Sequence, residues 1–215
     1  MITKRQRELI LGAVLGDGFL QKTGKRNARL RLEHSEKQRD YLWWKYETLS
    51  NLMQDKPKPI QRFHPRWKKA YTYYRCQTHA MPLLGRYQRA FYDEQGRKRV
   101  PQQIKRWLKA PLTLAVWYMD DGHYYPRDRS AYIYLPRYSR EEVAWLIEAL
   151  SENFGLRARA IVKKGYPVLY FDPRETERLK AIVREWVHPS MEYKLPPDPV
   201  TTEGALPESP APVQG

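Results

Sequence analysis

The chain has 215 residues, 41% of them hydrophobic and 13% aromatic, which suffices for a packed core and excludes a wholly disordered protein. Lysine and arginine outnumber aspartate and glutamate by 39 to 24, and the resulting net charge of +15 predicts a polyanionic partner. No apolar run reaches the roughly 18 residues of a membrane span. The single cysteine, Cys76, excludes an internal disulfide.

The N-terminal sequence has no apolar leader stretch, so we expect a cytoplasmic protein with no membrane contact. Arginine outnumbers lysine by 23 to 16, which favours a bacterial or archaeal host over an AT-rich organelle. Residues 196–215 hold six prolines, three acidic residues and no lysine or arginine. Such a segment cannot bury enough apolar surface to order itself, and we predict a disordered proline-rich tail over residues 197–215.

The first half of the remaining chain begins with a predicted helix over residues 4–17, whose second part is apolar on all sides and is therefore expected to be buried. Gly12 and Gly16, one turn apart, leave room for a second helix to approach it. The elements predicted next are a strand over 28–34, a helix from a Ser35–Gln38 capping box to about residue 53, strands near 59–66 and 69–78, and a helix over 82–92.

The second half repeats this order. Its predicted elements are an apolar helix over 112–121, strands near 123–127 and 130–135, a helix opened by a Ser139–Glu142 capping box, strands over 156–164 and 166–171, and a helix capped by Asp172. The halves are in phase, because 18 residues separate Asp17 from Ser35 and again Asp121 from Ser139. We therefore predict an internal duplication, with subdomains over residues 1–108 and 109–196.

Each half begins with an apolar helix that ends in an acidic residue and a glycine, Asp17-Gly18 and Asp121-Gly122. A left-handed cap explains the glycine. The acid is unfavourable at a helix C-terminus, which carries about half a negative charge, unless a cation compensates it. Two such helices packed together would join their carboxylates into a site suited to Mg²⁺. In a basic protein, nucleic-acid phosphates would complete the ligands and be hydrolysed.

The segments Ile10–Gly18 (ILGAVLGDG) and Leu114–Gly122 (LAVWYMDDG) resemble the two nine-residue signatures of LAGLIDADG homing endonucleases, in the branch that carries both signatures in one chain. The resemblance extends to SREEVAWLIEALSENFGL from Ser139 and YKLP from Tyr193. It implies an α+β fold in which two pseudo-symmetric αββαββα subdomains form a saddle-shaped antiparallel DNA-binding sheet. It also implies a monomer that cleaves both strands of a long non-palindromic site and so initiates intron or intein mobility.

The resemblance places the metal-binding, catalytic acids at Asp17 and Asp121, with Gly16 and Asp120 beside them in the metal site. It implies Mg²⁺ as the cofactor, with Mn²⁺ as a substitute and Ca²⁺ binding without supporting cleavage. Lys98 and Lys194, each before a hydrophobic-proline pair, are implied to be catalytic, since a lysine can stabilise the transition state or polarise the attacking water. The helix turns Asp120 about 100° from Asp121, so we expect its substitution to matter less.

Alternate residues of the strands are expected to face the major groove of double-stranded DNA. The predicted DNA-binding residues are Arg29, Arg31, Glu33, Arg62, His64, Arg66, Tyr73, Arg75 and Gln77 in the first half, and Tyr134, Arg157, Arg159 and Lys163 in the second. Tyr74 and Cys76 alternate with these residues and are expected to pack in the core.

Two other functions fit the same fold. One is an intron maturase, which binds host intron RNA and needs no metal-binding acids. The other is a DNA-binding protein that does not cleave. Both acids and both lysines are present in this chain, which favours the nuclease, because a chain without that activity is free to lose them.

Overall fold

A computed structural model describes residues 2–198, and each half of the chain folds around its own four-stranded antiparallel sheet. The first half comprises α1 (Lys4–Leu15), β1 (Phe19–Lys22), β2 (Ala28–Ser35), α2 (Arg39–Thr48), β3 (Lys58–His64), β4 (Lys69–Gln77) and α3 (Pro82–Phe91). A short helix follows, α4 (Ile104–Trp107). The second half comprises α5 (Pro111–Asp121), β5 (Gly122–Tyr125), β6 (Ser130–Tyr134), α6 (Arg140–Phe154), β7 (Arg159–Lys163), β8 (Tyr166–Phe171) and α7 (Pro173–Val183).

The strand orders, β1-β2-β4-β3 and β5-β6-β8-β7, are equivalent in the two halves. Each half therefore has the order helix, two strands, helix, two strands, helix, which confirms the predicted repeat and the α+β class. The segment around α4 packs against the second half, because the side-chain amide of Asn153 on α6 donates to the carbonyl oxygens of Lys105 and Leu108, both at 2.8 Å.

The two halves meet through α1 and α5, which are buried along most of their length. A Cβ atom on Gly12 would lie 2.6 Å from the carbonyl oxygen of Thr113 and 2.7 Å from Cβ of Val116. A Cβ atom on Gly16 would lie 2.5 Å from Cβ of Asp120. The predicted close approach at both glycines is therefore confirmed. Only α1 contributes glycines to this contact, and the larger side chains of α5 fill the space that they leave.

Only one of the two predicted capping boxes forms. Ser139 Oγ accepts the N–H of Glu142 at 3.2 Å, and the Glu142 carboxylate accepts the N–H of Ser139 at 2.7 Å. The Ser35–Gln38 box was wrong, because Ser35 precedes a short 3₁₀ turn, its side chain caps nothing, and α2 begins only at Arg39. The Gln38 side chain instead pairs with His34 and donates to the Tyr193 hydroxyl, so it cannot reach back to Ser35.

Gly18 and Gly122 do not form the predicted left-handed caps, because neither has a positive φ. Both are required by close contact instead. A Cβ atom on Gly18 would lie 2.5 Å from the carbonyl oxygen of Ala13, and one on Gly122 would collide with the carbonyl oxygen of Tyr118. Each glycine thus lets the chain turn back tightly against the helix that carries the acid.

The predicted tail lies mostly outside the described residues, which end at 198. Within them, the carboxylate of Asp198 pairs with Lys180 at 2.8 Å and with Arg184 at 3.2 Å. None of the helices between residues 2 and 198 has the length and apolar character that crossing a membrane requires.

Candidate metal centre and nucleic-acid interface

The two predicted metal-binding acids lie at the same end of the α1–α5 pair. Asp17 follows α1 with its side chain 48% exposed, and Asp121 is the last residue of α5. Burial raises the pKa of both carboxyl groups above the usual range, and neighbouring carboxylates raise it further: Asp120 acts on Asp17, and Asp17 acts on Asp121. The structure therefore brings the two predicted acids close enough for their charges to interact.

Lys98 and Lys194 occupy equivalent places at the two helix ends. The Lys98 ammonium donates to the carbonyl oxygen of Gly16 and, at 3.5 Å, to that of Leu15. The Lys194 ammonium donates to the corresponding residues of α5, Met119 at 2.5 Å and Asp120 at 3.0 Å. Each lysine thus compensates the negative end of one helix dipole. Burial lowers the pKa of both ammonium groups, although the nearby acids oppose this effect.

The donor set fits a divalent cation. Among residues 2–198, no side chain forms a hydrogen bond or an ion pair with the carboxylate of Asp121, although burial makes an unpaired charge costly. Within the same residues, the only side chain paired with the carboxylate of Asp17 is the ring of His34, whose Nδ1 lies 3.9 Å from Oδ2. Two carboxylates that repel each other and lack close protein partners are the hard oxygen ligands that Mg²⁺ and Mn²⁺ prefer.

Asp120 points into the interface between the halves, where it joins a buried polar network that no sequence motif predicts. Its Oδ1 accepts hydrogen bonds from the Lys45 ammonium at 2.6 Å and the Tyr41 hydroxyl at 2.9 Å. Its Oδ2 accepts the backbone N–H of Asp17 at 3.1 Å. The Lys45 ammonium also lies 3.0 Å from Nε2 of His34. Because an ammonium group only donates, Nε2 accepts and the ring hydrogen sits on Nδ1.

Burial and neighbouring charges shift the pKa values of Asp120 and His34 in this network. Burial would raise the pKa of Asp120, but the charge of Lys45 and the hydrogen bonds from Lys45 and Tyr41 lower it. Burial and the charge of Lys45 lower the pKa of His34 to about 3, so its ring is neutral. One ligand atom each of Asp17, His34 and Asp120 lies within 4.8 Å of the others, as in a metal site. The ammonium of Lys45 already contacts two of these three residues.

The predicted DNA-facing residues of the first sheet share one face. Along β2, Arg29, Arg31 and Glu33 alternate with buried apolar residues, and Glu33 lies directly opposite Arg75 on β4. The Glu33 carboxylate pairs with Arg75 at 2.6 Å and with Arg62 at 2.7 Å. A cavity of about 440 Å³ joins this face to the metal centre; its lining includes Asp17, Arg31, Glu33, Arg62, Tyr73 and Arg75.

The second sheet presents a different chemistry on the equivalent face. The Lys163 ammonium lies 3.5 Å from the ring centroid of Tyr132 and 4.6 Å from that of Tyr125, and the Arg159 guanidinium lies 4.9 Å from that of Tyr170. The Tyr125 and Tyr134 hydroxyls are 2.7 Å apart. The three tyrosines at 125, 132 and 170 were missed, although they alternate along their strands as the predicted residues do.

Two of the predicted residues do not lie on strands. The strand predicted over 59–66 ends at His64, because Pro65 cannot donate a ladder hydrogen bond, and Arg66 lies in the following 3₁₀ turn. Arg157 precedes β7, which begins at Arg159. The expectation for Cys76 is confirmed, because it is buried on β4 and burial raises the pKa of its thiol to about 12.

Residues 7–179 match the LAGLIDADG DNA endonuclease family, and the chain belongs to this family. The probable intron-encoded endonuclease 1 of Wickerhamomyces canadensis is 26% identical over 204 residues, which are 90% of this chain and 85% of that protein. A protein RecA of Mycolicibacterium flavescens is 31% identical over 218 residues, 91% of this chain but 47% of that protein. The chain therefore spans about half the length of this RecA relative.

Among solved structures, the homing endonuclease I-WcaI bound to its DNA recognition sequence superposes with a TM-score of 0.81 at 24% identity. The match covers 91% of this chain and 87% of that chain, so the two share the whole fold, including both sheets.

Proposed function

We propose that this protein is a site-specific double-strand DNA endonuclease, a homing endonuclease that hydrolyses phosphodiester bonds with Mg²⁺ bound by Asp17 and Asp121. The observation that carries the proposal is the pair of carboxylates at the joined ends of α1 and α5, with one lysine ammonium at each helix end. Membership of a DNA endonuclease family supports it.

When bound, Mg²⁺ supplies a Lewis acid for the phosphate and lowers the pKa of a bound water. The two lysines supply hydrogen-bond donors to the reacting phosphate and water. Lys98 and Lys194 each use two of the three ammonium donors on helix carbonyls, which leaves one donor on each side for a phosphate oxygen or the attacking water. Such a fixed donor stabilises the negative charge that develops in the transition state.

The two sheets hold the DNA. Arginines of the first sheet suit guanine edges, whereas lysines and residues beside the strands, such as Arg66 and Arg157, suit phosphates. Because the two faces carry different residues, the preferred site is long and non-palindromic. Both acids and both sheets belong to one chain, so we propose that a monomer cuts both strands. The excess of arginine over lysine supports a bacterial or archaeal cytoplasm as its location.

The host element is an intron or an intein. A match to only half the length of proteins named RecA is what an endonuclease inserted into a host protein would produce. Mn²⁺ substitutes for Mg²⁺ in this proposal, and Ca²⁺ holds the complex without cleavage because it accepts a looser oxygen shell.

The test is selection of cleaved sites from a randomised double-stranded DNA library with the purified chain and Mg²⁺, with a chelator in the control. We expect recovery of a long asymmetric sequence cut on both strands. Retention of specific DNA without cleavage under any divalent ion would show a non-cleaving DNA-binding protein. Binding of intron RNA with no specific DNA retained would show a maturase.

A further inference from the structure

The buried network around Asp120 joins the two halves, and the internal repeat does not duplicate its residues. An offset of 104 residues relates the halves, because it takes Asp17 to Asp121 and Ser35 to Ser139. The same offset pairs Asp120 with Gly16, and it pairs His34, Tyr41 and Lys45 with Tyr138, Trp145 and Ala149. The second half therefore has no buried ammonium at the place of Lys45, and the network is not a product of the repeat.

The network holds the backbone that carries Asp17. Three consecutive amides leave the end of α1: the N–H of Gly16 bonds to Gly12, and that of Gly18 bonds to Ala13 at 2.6 Å. The amide between them, on Asp17, bonds to no backbone carbonyl among the described residues and donates to the carboxylate of Asp120 at 3.1 Å. Asp120 therefore completes the turn from which the Asp17 side chain projects.

Lys45 is the ion-pair partner of the Asp120 carboxylate in this buried place. Both side chains are fully buried, and their ion pair measures 2.6 Å. Removing one partner of such a pair leaves an uncompensated charge, which is strongly destabilising. Tyr41 donates to the same oxygen, and its hydroxyl also lies 3.3 Å from the carbonyl oxygen of Val116, which ties α2 to α5. Gly16 leaves the space through which the carboxylate reaches Asp17.

We propose that Asp120 and Lys45 are positioning residues, which hold the Asp17 carboxylate in the geometry that binds a divalent cation. The two metal-binding acids are then held by different means, since Asp121 is fixed by α5 itself and Asp17 by an ion pair that joins the two halves. This inference rests on the proposed function, because it concerns a cation site used for cleavage. Its first measurement, hydrogen exchange at the Asp17 amide, does not require the protein to cleave DNA.

The test compares Asp120→Asn, which keeps the shape and removes the charge, with Lys45→Met. The matched control is Lys180→Met, which removes another buried ammonium, paired with Asp198, on a helix that contributes nothing to the metal centre. The first readout is hydrogen exchange of the Asp17 amide without metal, and the second is Mn²⁺ affinity by electron paramagnetic resonance. We expect faster exchange at Asp17 and an affinity loss of about 10–100-fold in both variants, with neither change in Lys180→Met.

Unchanged exchange and Mn²⁺ affinity in folded Asp120→Asn would overturn the proposal, as would equal changes in the Lys180→Met control. If Lys45→Met does not fold, Asp120→Asn decides the question alone. If neither folds, Tyr41→Phe removes a single hydroxyl from the network and decides it by the same two measurements. Failure of the proposed function would look different, because the wild-type chain would then cleave no site at all.

Discussion

At the scale of single residues, the two lysines at the helix ends are held by helix carbonyl oxygens, and each keeps one ammonium N–H for a phosphate oxygen or a water. Lys98 and Lys194 are anchored by carbonyl oxygens that belong to the helix ends, so their positions depend little on whether DNA is present. Methionine preserves most of the side-chain volume and removes the charge.

We expect Lys98→Met and Lys194→Met each to slow single-turnover cleavage of the selected site by about 10²–10³-fold, the cost of losing one fixed donor to a transition-state charge. Binding to the same site in Ca²⁺ should stay nearly constant. Lys105→Met serves as the control, because Lys105 pairs with Glu148 and Glu152 on the surface. A wild-type rate in either variant would remove that lysine from the mechanism.

Although the catalytic roles of the acids and lysines stay predictions, their placement at the two helix ends could be predicted, because the motifs of the family that the sequence resembles occur once in each half. The network around Asp120 could not, because its members come from three elements and are joined only by the fold. One feature of the sequence does point to His34. Side chains of a strand alternate between its two faces, so His34 lies on the face opposite to Arg31 and Glu33, which is the core face. Nothing in the sequence pairs it with Lys45 and Asp120.

At the scale of the helices and strands, the α1–α5 contact depends on the lack of a side chain at Gly16. Gly16→Ala would place a Cβ atom 2.5 Å from Cβ of Asp120 and force the helices apart. We expect the free energy of unfolding in urea to fall by about 1–3 kcal/mol, as for other overpacked cores. Unchanged stability would mean that the space between Gly16 and Asp120 can hold a methyl group, against the close packing of α1 and α5.

The strand β4 offers a chemical test of which face meets DNA. Cys76 is 2% exposed and its thiol has a pKa of about 12, so an alkylating reagent at pH 8 should modify it only after unfolding. In a Cys76→Ser background, a cysteine introduced by Gln77→Cys should react rapidly and become protected when the selected DNA binds. Rapid labelling of native Cys76 would show that the strand faces are reversed.

Whether a predicted capping box forms depends on which other groups bind its side chains in the fold. The Ser139–Glu142 box forms because the Glu142 carboxylate has two oxygens, of which Oε2 accepts the N–H of Ser139 while Oε1 accepts that of Val100. The equivalent box at Ser35 fails because the single side-chain oxygen of Gln38 pairs with Nδ1 of His34. One competitor, His34, is adjacent in sequence to Ser35, whereas the Tyr193 hydroxyl that accepts from the Gln38 amide lies 155 residues from Gln38. The repeat order was predictable because the apolar periodicity that sets it is local to each element.

At the scale of the whole molecule, a net charge of +15 and two basic sheet faces predict binding that depends steeply on salt. The logarithm of the binding constant should fall by about 0.9 for each neutralised phosphate per logarithmic unit of salt. Lys163→Met should reduce this slope by about one, whereas Lys4→Met, on the exposed start of α1, should leave it unchanged. A slope near zero for the wild-type chain would contradict a DNA-gripping surface.

The central claim is that Asp17 and Asp121 together form one metal-dependent cleavage centre, and its most direct test uses Asp17→Asn and Asp121→Asn. Each substitution keeps the shape of the side chain and removes one negative charge from the cation site. The measurement is single-turnover double-strand cleavage of the selected site in Mg²⁺, with binding measured in Ca²⁺. We predict that each variant loses double-strand cleavage and retains binding. Wild-type cleavage by both variants would contradict the assignment.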